Sequence, residues 1–384
     1  MELWAWGANS YGQLGIGTRC EQIDTPIKIP IPSGCDIGSA TLQIAGGGGH
    51  TLLADASKER LFAVGWNNKG QLGLSDNEDV ESFKEVNLGL LGRNGRKLVK
   101  KVACGWDFSF VLFSDGTVFG CGSNAFGQLG LNEASKQYST LIQITSLKDV
   151  EIVDVSCGMR HALFLDGKGN VYSTGCNKKG QLGLGESVKR LYIPTLISGI
   201  SSVVSVHCGQ HFSAVVRTSK TGCKMFTFGD NKYNQVSNSS VNTVYTPEVR
   251  FTNESSENER ILTTATCGWT HAIIMLRNGT KNELMSWGRN TYGQLGSISA
   301  RNTEGFVLVE LNDPLKISTG YEHTLVVTEK GKLHAWGWNE HSNCGLGGSR
   351  ENIIYPKLVP VESEKLAVNC YAGSAHSFAL LQSK

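Results

Sequence analysis

Short apolar runs separated by polar, glycine-rich stretches set a regular beat along the whole chain. Val150-Glu151-Ile152-Val153-Asp154-Val155 alternates apolar and polar side chains, the period of a strand with one buried face. His161-Ala162-Leu163-Phe164-Leu165 gives a second run, Asp166 to Asn170 a turn, and Val171-Tyr172 opens a third. Asp115-Gly116 and Asn278-Gly279 occupy the same place in other copies, and such dipeptides tolerate the positive φ of a tight hairpin. The pattern predicts one small antiparallel sheet, made again and again.

Two signatures mark each copy. The stretch Trp6-Gly7-Ala8-Asn9-Ser10-Tyr11-Gly12-Gln13-Leu14-Gly15 returns in near-copies beginning at Gly65, Gly122, Gly175 and Gly288, and in worn copies at Gly229 and Gly337. Out of phase with it runs a second motif, ending at His50, Phe108, His161, Phe212, His271, His323 and His376. Seven copies at this spacing predict a propeller or an array. The seventh motif is followed by Ser377 to Leu381 alone, while Leu3 to Trp6 is a run with no preceding half. Pairing these two closes a ring, whereas an open array needs polar capping units that neither end shows. The expectation is an all-β, seven-bladed β-propeller, one domain over residues 1–384, closed by its N- and C-terminal strands.

Composition sharpens this picture. Glycine is abundant at 46 and proline scarce at 8, as many tight corners require. A net charge of +2, with no basic arm and no long apolar run, predicts neither nucleic-acid binding nor membrane insertion; a monomer is expected. The eleven cysteines show no Cys-x-x-Cys spacing, and Cys104, Cys157, Cys208 and Cys267 share a slot that elsewhere holds Gly46, Thr319 or Ala372. That slot wants a small residue, so reduced thiols are expected and no metal or cofactor is. One histidine per blade is too dispersed for a metal, and Phe108 and Phe212 fill the same position. Packing with a hydrogen bond to a neighbouring blade fits better. Gly46 to Gly49 falls in register with the other copies and is a corner, not a phosphate loop. Residues 251–260 (FTNESSENER) are expected to form a mobile loop, and the basic stretch 89–101 a solvated one.

The signatures WGxNxxGQLG and CGxxH resemble the repeats of the regulator of chromosome condensation family over essentially the full chain. The resemblance implies a seven-bladed propeller whose CGxxH variable positions lie on one rim. In the family's namesake that rim faces the GTPase Ran. WGANSYGQLG, GGGGH, CGWDF, GSNAFGQLG, GWTH and WGWNEH are similar to a branch associated with secretion. That similarity implies a cytoplasmic protein that can also be nuclear, acting as a guanine nucleotide exchange factor for a small GTPase and binding an exocyst subunit. The alternative is a non-catalytic scaffold holding an exocyst or ubiquitin-linked partner. Neither a β-wedge insertion nor a basic tail is evident, so Ran and chromatin are not the expected partners.

The rim slots supply Trp106, Asp107, Arg160, His211, Trp269, Tyr321 and Glu322 as candidate contacts, and one corner adds Trp338, Glu340 and His341. Identical side chains suit repeated packing; different ones suit an asymmetric partner. Trp106 and Trp269 read equally as interface anchors or as residues buried under loops. They lie in the second and fifth units, nearly opposite on the ring, so a coupled, chromophore-like cluster of the two is not expected. No nucleophile, base or metalloenzyme motif accompanies them.

Overall fold

The computed structural model describes all residues except 39–41, 56, 58, 92–97, 134–135, 220–221, 254–259, 299–302 and 349. Its strands assemble into seven four-stranded antiparallel sheets arranged as blades. The first blade is Leu42–Gly46, His50–Asp55, Arg60–Gly65 and Val80–Glu85, from the axis outward. The second starts at Val99–Cys104, the third at Ile152–Cys157, the fourth at Val203–Cys208, the fifth at Arg260–Cys267 and the sixth at Pro314–Thr319. The seventh mixes the two ends of the chain. Lys365–Ala372 and His376–Ser383 supply its inner strands, Glu2–Ala8 and Gln22–Lys28 its outer ones. Glu2 pairs with Leu381 and Gly7 with His376, the expected closure.

Each signature has a mechanical reason. In all seven copies of the first, the asparagine Oδ1 accepts from the backbone N–H five residues on, as Asn9 does from Leu14 and Asn339 from Cys344. The glutamine Oε1 then caps the N–H two residues before it, as in Gln13 to Tyr11 and Gln235 to Tyr233. The worn fourth-blade copy keeps both bonds, with Asn234 taking the positive φ of the missing glycine. Trp6, Trp287 and Trp336 are fully buried, and each indole N–H donates to a carbonyl in the adjoining blade.

The second signature welds blades together. His50, His161, His271, His323 and His376 are buried, and each Nε2 meets a hydroxyl of the next blade: Ser109, Ser213, Thr324, Ser377 and Thr51, at 2.9 to 3.2 Å. The Ser109, Ser213, Ser377 and Thr51 hydroxyls give their one proton to the carbonyls of Gln71, Gln181, Asn343 and Gln13. At those four sites the histidine must donate from Nε2, which leaves Nδ1 without a proton. Where the histidine is replaced, the partner changes too. Phe108 packs in one cluster with Ala162, and Phe212 with Ala272. The glycine of the motif is needed for close approach: a Cβ on Gly158 would lie 2.1 Å from His161 Cε1 and 2.5 Å from Gly209 O. Gly158→Ala is therefore expected to destabilise the fold by about 2 kcal/mol or more, read as a lower urea midpoint.

Two expectations on loops are settled differently. Phe251 belongs to the strand Thr243–Asn253 and stacks edge-on against Phe306 at 5.7 Å, and Arg260 opens the next strand. The first residue of the stretch expected to be mobile is thus anchored in a strand, while residues 254–259 lie outside the described ones. In the basic stretch, Lys100 and Lys101 sit in the strand Val99–Cys104, and Lys101 pairs with Asp154 of the third blade. Arg93, Arg96 and Lys97 lie outside the described residues. All eleven cysteines are free.

Candidate functional site

Both signatures put their variable residues at the same end of the ring, around the mouth of the axial channel. The first variable residues of the second signature form a hydrogen-bonded collar. Gly48 N–H donates to Trp106 O, Met159 to Gln210, Gln210 to Trp269, Trp269 to Tyr321, and Tyr321 to Ser374. The collar is narrow, so side chains from distant blades meet across it. Trp106 lies 5.6 Å from Trp269 and 5.8 Å from Tyr321, ring centre to ring centre, and Trp269 stacks on Tyr321 at 3.5 Å. Trp66 meets Trp106 edge-on at 6.4 Å and stacks with Tyr11 at 5.3 Å. The expectation that Trp106 and Trp269 form no cluster is overturned, because indoles reach the axis from opposite sides.

These three rings form a septum. Below it lies a channel of about 120 Å³ lined by Cys104, Cys157, Cys208 and Cys267. Above it opens a bowl of about 650 Å³. Of the rim candidates, Trp106, His211, Trp269, Tyr321, Glu322, Trp338, Glu340 and His341 all line the bowl, and Asp107 and Arg160 do not. The Trp338 indole donates to Glu340 and meets His341 edge-on at 5.2 Å. The bowl's other wall comes from the first signature: Tyr11, Lys179, Asp230, Lys232, Tyr233, Arg289 and Tyr292. Those residues fill the variable positions of WGxNxxGQLG, a signal present in the sequence and not exploited there. Arg289 lies over Tyr233 and Tyr292, at 4.9 and 4.6 Å.

Glu322 is not the open rim carboxylate expected. It is buried, accepting from Thr270 Oγ1 and Gln294 Nε2 at 2.7 Å, with Arg289 only at 3.8 Å. Burial pushes its carboxyl up from 4.5 to about 7, against the hydrogen bonds that favour the charge. The protonated acid thus favours the fold; that contribution is complete below about 4.5 and is lost as pH rises through 7. Glu322→Gln, which keeps the shape without the charge, is expected to gain more stability over the wild type at pH 8.5 than at pH 5.5 in urea titrations; an equal difference at the two pH values would contradict the assignment. Burial also raises the Asp107 carboxyl and lowers His211. Among the described residues no cluster of His, Cys, Asp or Glu could hold a metal ion, and no helix is long and apolar enough to cross a membrane.

A rigid ring with uniform internal bonding, whose mouth differs in every blade and gathers aromatic side chains, defines a protein-interaction propeller. Residues 2–379 match the RCC1-like domain, and the chain belongs to that family. It is 33% identical to a Bos taurus protein called secretion-regulating guanine nucleotide exchange factor, across 99% of this chain and 83% of that one. Among solved structures, human WBSCR16 superposes with a TM-score of 0.83 at 26% identity, over 100% of this chain and 99% of that one. Prp20p of Saccharomyces cerevisiae, described with its binding to Gsp1p and histones, gives 0.83 at 20% identity over 100% and 92%, and shows the fold alone.

Proposed function

We propose that this propeller regulates a small GTPase in secretion, acting as a guanine nucleotide exchange factor through the mouth of its axial channel. The observation that carries the reading is the bowl, where repeated scaffold gives way to seven unlike blades around stacked aromatic anchors. Similarity to the relative named for exchange in secretion supplies the partner class. Exchange of this kind needs no covalent chemistry: it stabilises the nucleotide-free partner, lowering the barrier to release. The work belongs in the cytoplasm, with nuclear entry allowed, and an exocyst subunit is a second partner of the same surface.

The test is release of a fluorescent guanine nucleotide from a panel of purified small GTPases. Acceleration of one of them by about tenfold or more supports exchange. Binding to a GTPase or an exocyst subunit without acceleration supports the scaffold reading, which also has an observation in its favour. Glu322, which lines the bowl together with Asp230 and Glu340, is already engaged by Thr270 and Gln294.

A further inference from the structure

The mouth face is electrically lopsided. The third blade brings Arg160, Lys178, Lys179, Lys189 and Arg190 to it, with Glu186 as the one acid in the same loops. The first blade's mouth loops hold Asp76, Glu78 and Asp79 with Lys69 as their one cation, and Arg19 of the seventh blade pairs with Asp79 at 3.4 Å. In a chain of net charge +2, this is a local concentration of positive charge rather than a global one.

Its geometry is organised as well. Phe126, from the second blade, carries the Arg160 guanidinium at 4.2 Å from its ring centre and the Arg190 guanidinium at 5.3 Å. Arg190 is held further by Tyr192 Oη at 2.8 Å and Ala125 O at 3.3 Å. Lys179 is engaged with Asp230 at 3.5 Å, and Lys189 lies over Tyr245 at 5.8 Å. Arg160 has no hydrogen-bond or ion-pair partner among the described residues, and Lys178 is exposed with none. Two guanidiniums stacked on one ring have lost side-chain freedom in advance, so ordering them on binding costs less.

We propose that the third-blade rim is a docking strip for an Asp- and Glu-rich segment of a protein partner. Arg160 and Arg190 rest on Phe126 of the second blade while Lys179 and Lys189 lean on Asp230 and Tyr245 of the fourth, so the cations are spread between two neighbouring blades, which suits successive carboxylates along a chain. Forked guanidiniums bind such groups in bidentate fashion. A flat anionic surface such as a membrane fits poorly, because the acidic first-blade loops share the same face. The strip deepens the partner-binding reading of the mouth: it sets the rotational register in which the partner sits over the bowl.

The test is fluorescence anisotropy of a labelled octaglutamate peptide with the intact chain at low salt. The wild type is expected to bind, more weakly as salt rises. Arg160→Gln/Lys178→Gln/Arg190→Gln is expected to lose at least about tenfold in affinity. Phe126→Ala, which leaves the charge unchanged, is expected to lose about threefold or more by freeing the guanidiniums. Glu78→Gln should bind as the wild type does, and melting curves confirm folding of each variant. Lys178→Glu, at an exposed position, replaces the triple variant if that one fails to fold, with the same direction expected. Equal binding by the triple variant or by Phe126→Ala overturns the strip, as does preference for phosphatidylserine vesicles over the peptide. No GTPase takes part, so peptide binding without nucleotide release keeps the strip and sinks the exchange reading; the reverse pair of results does the opposite.

Discussion

Removing residues 1–6 is expected to abolish cooperative folding. The strand Glu2–Ala8 is hydrogen-bonded on both sides, to His376–Ser383 and to Gln22–Lys28, so its loss splits the seventh blade and opens the ring. Leu3 and Trp6 are fully buried and Trp4 nearly so, and the Trp6 indole N–H bonds Asn343 O of the sixth blade at 3.0 Å. Each lost tryptophan removes about 3–5 kcal/mol, and two of them match much of the roughly 5–15 kcal/mol that holds a domain together. The exposed ladder of His376–Ser383 also becomes an aggregation edge. Thermal unfolding followed by circular dichroism, with size exclusion, reads the result. A truncated chain that melts within a degree or two of the full one contradicts closure by the termini.

Mild acid is expected to unfold the protein, and the histidine belt is the reason. Burial holds His50, His161, His271 and His323 down to about 3 and His376 to about 4, from an ordinary 6.5. Nδ1 of each is buried without a hydrogen-bond partner; that of His271 faces Glu322 at 4.0 Å, and at the other four a proton arriving there finds no acceptor. These are depressed values, so their contribution is complete above 6.5 and is lost as pH falls below it, towards the folded values of 3 to 4. By pH 5 each histidine weakens the fold by about 1–2 kcal/mol, and five together approach its whole stability. Urea midpoints should fall steeply between pH 7.5 and 5. His161→Phe/Ser213→Ala, which copies the pairing found at Phe108 and Ala162, should lower the dependence by one histidine. Stability that stays flat over that range would show that the belt does not titrate.

The repeats announce most of the architecture because each signature is a local device: an asparagine and a glutamine that cap their own loop, a glycine that lets a ring approach. Blade number and terminal closure follow from counting them. The pairing of His with Ser or Thr, and of Phe with Ala, was also open to reading, since the partner is the residue just after the motif in the next blade. Other features were not legible. Whether Trp106 meets Trp269 depends on the radius of the collar, which spacing along the chain does not encode. Glu322 is buried by Thr270 and Gln294 of the preceding blade, so its position in a rim motif says little about its exposure. Phe251 sits in a polar stretch, yet Phe306 from the next blade anchors it.

The claim that the mouth is where a partner is engaged is tested most directly by comparing two faces on the same reaction. Nucleotide release from the most responsive small GTPase would be measured with the wild type, with Trp338→Ala at the mouth, and with Lys168→Ala in a hairpin turn at the opposite end of the third blade. Trp338 is half-buried and outside the hydrophobic clusters, so its removal spares the fold. The expected result is a loss of about tenfold or more for Trp338→Ala, at an almost unchanged melting temperature, with Lys168→Ala indistinguishable from the wild type. Full activity in Trp338→Ala, with loss in Lys168→Ala, would place the partner on the other face and contradict the account.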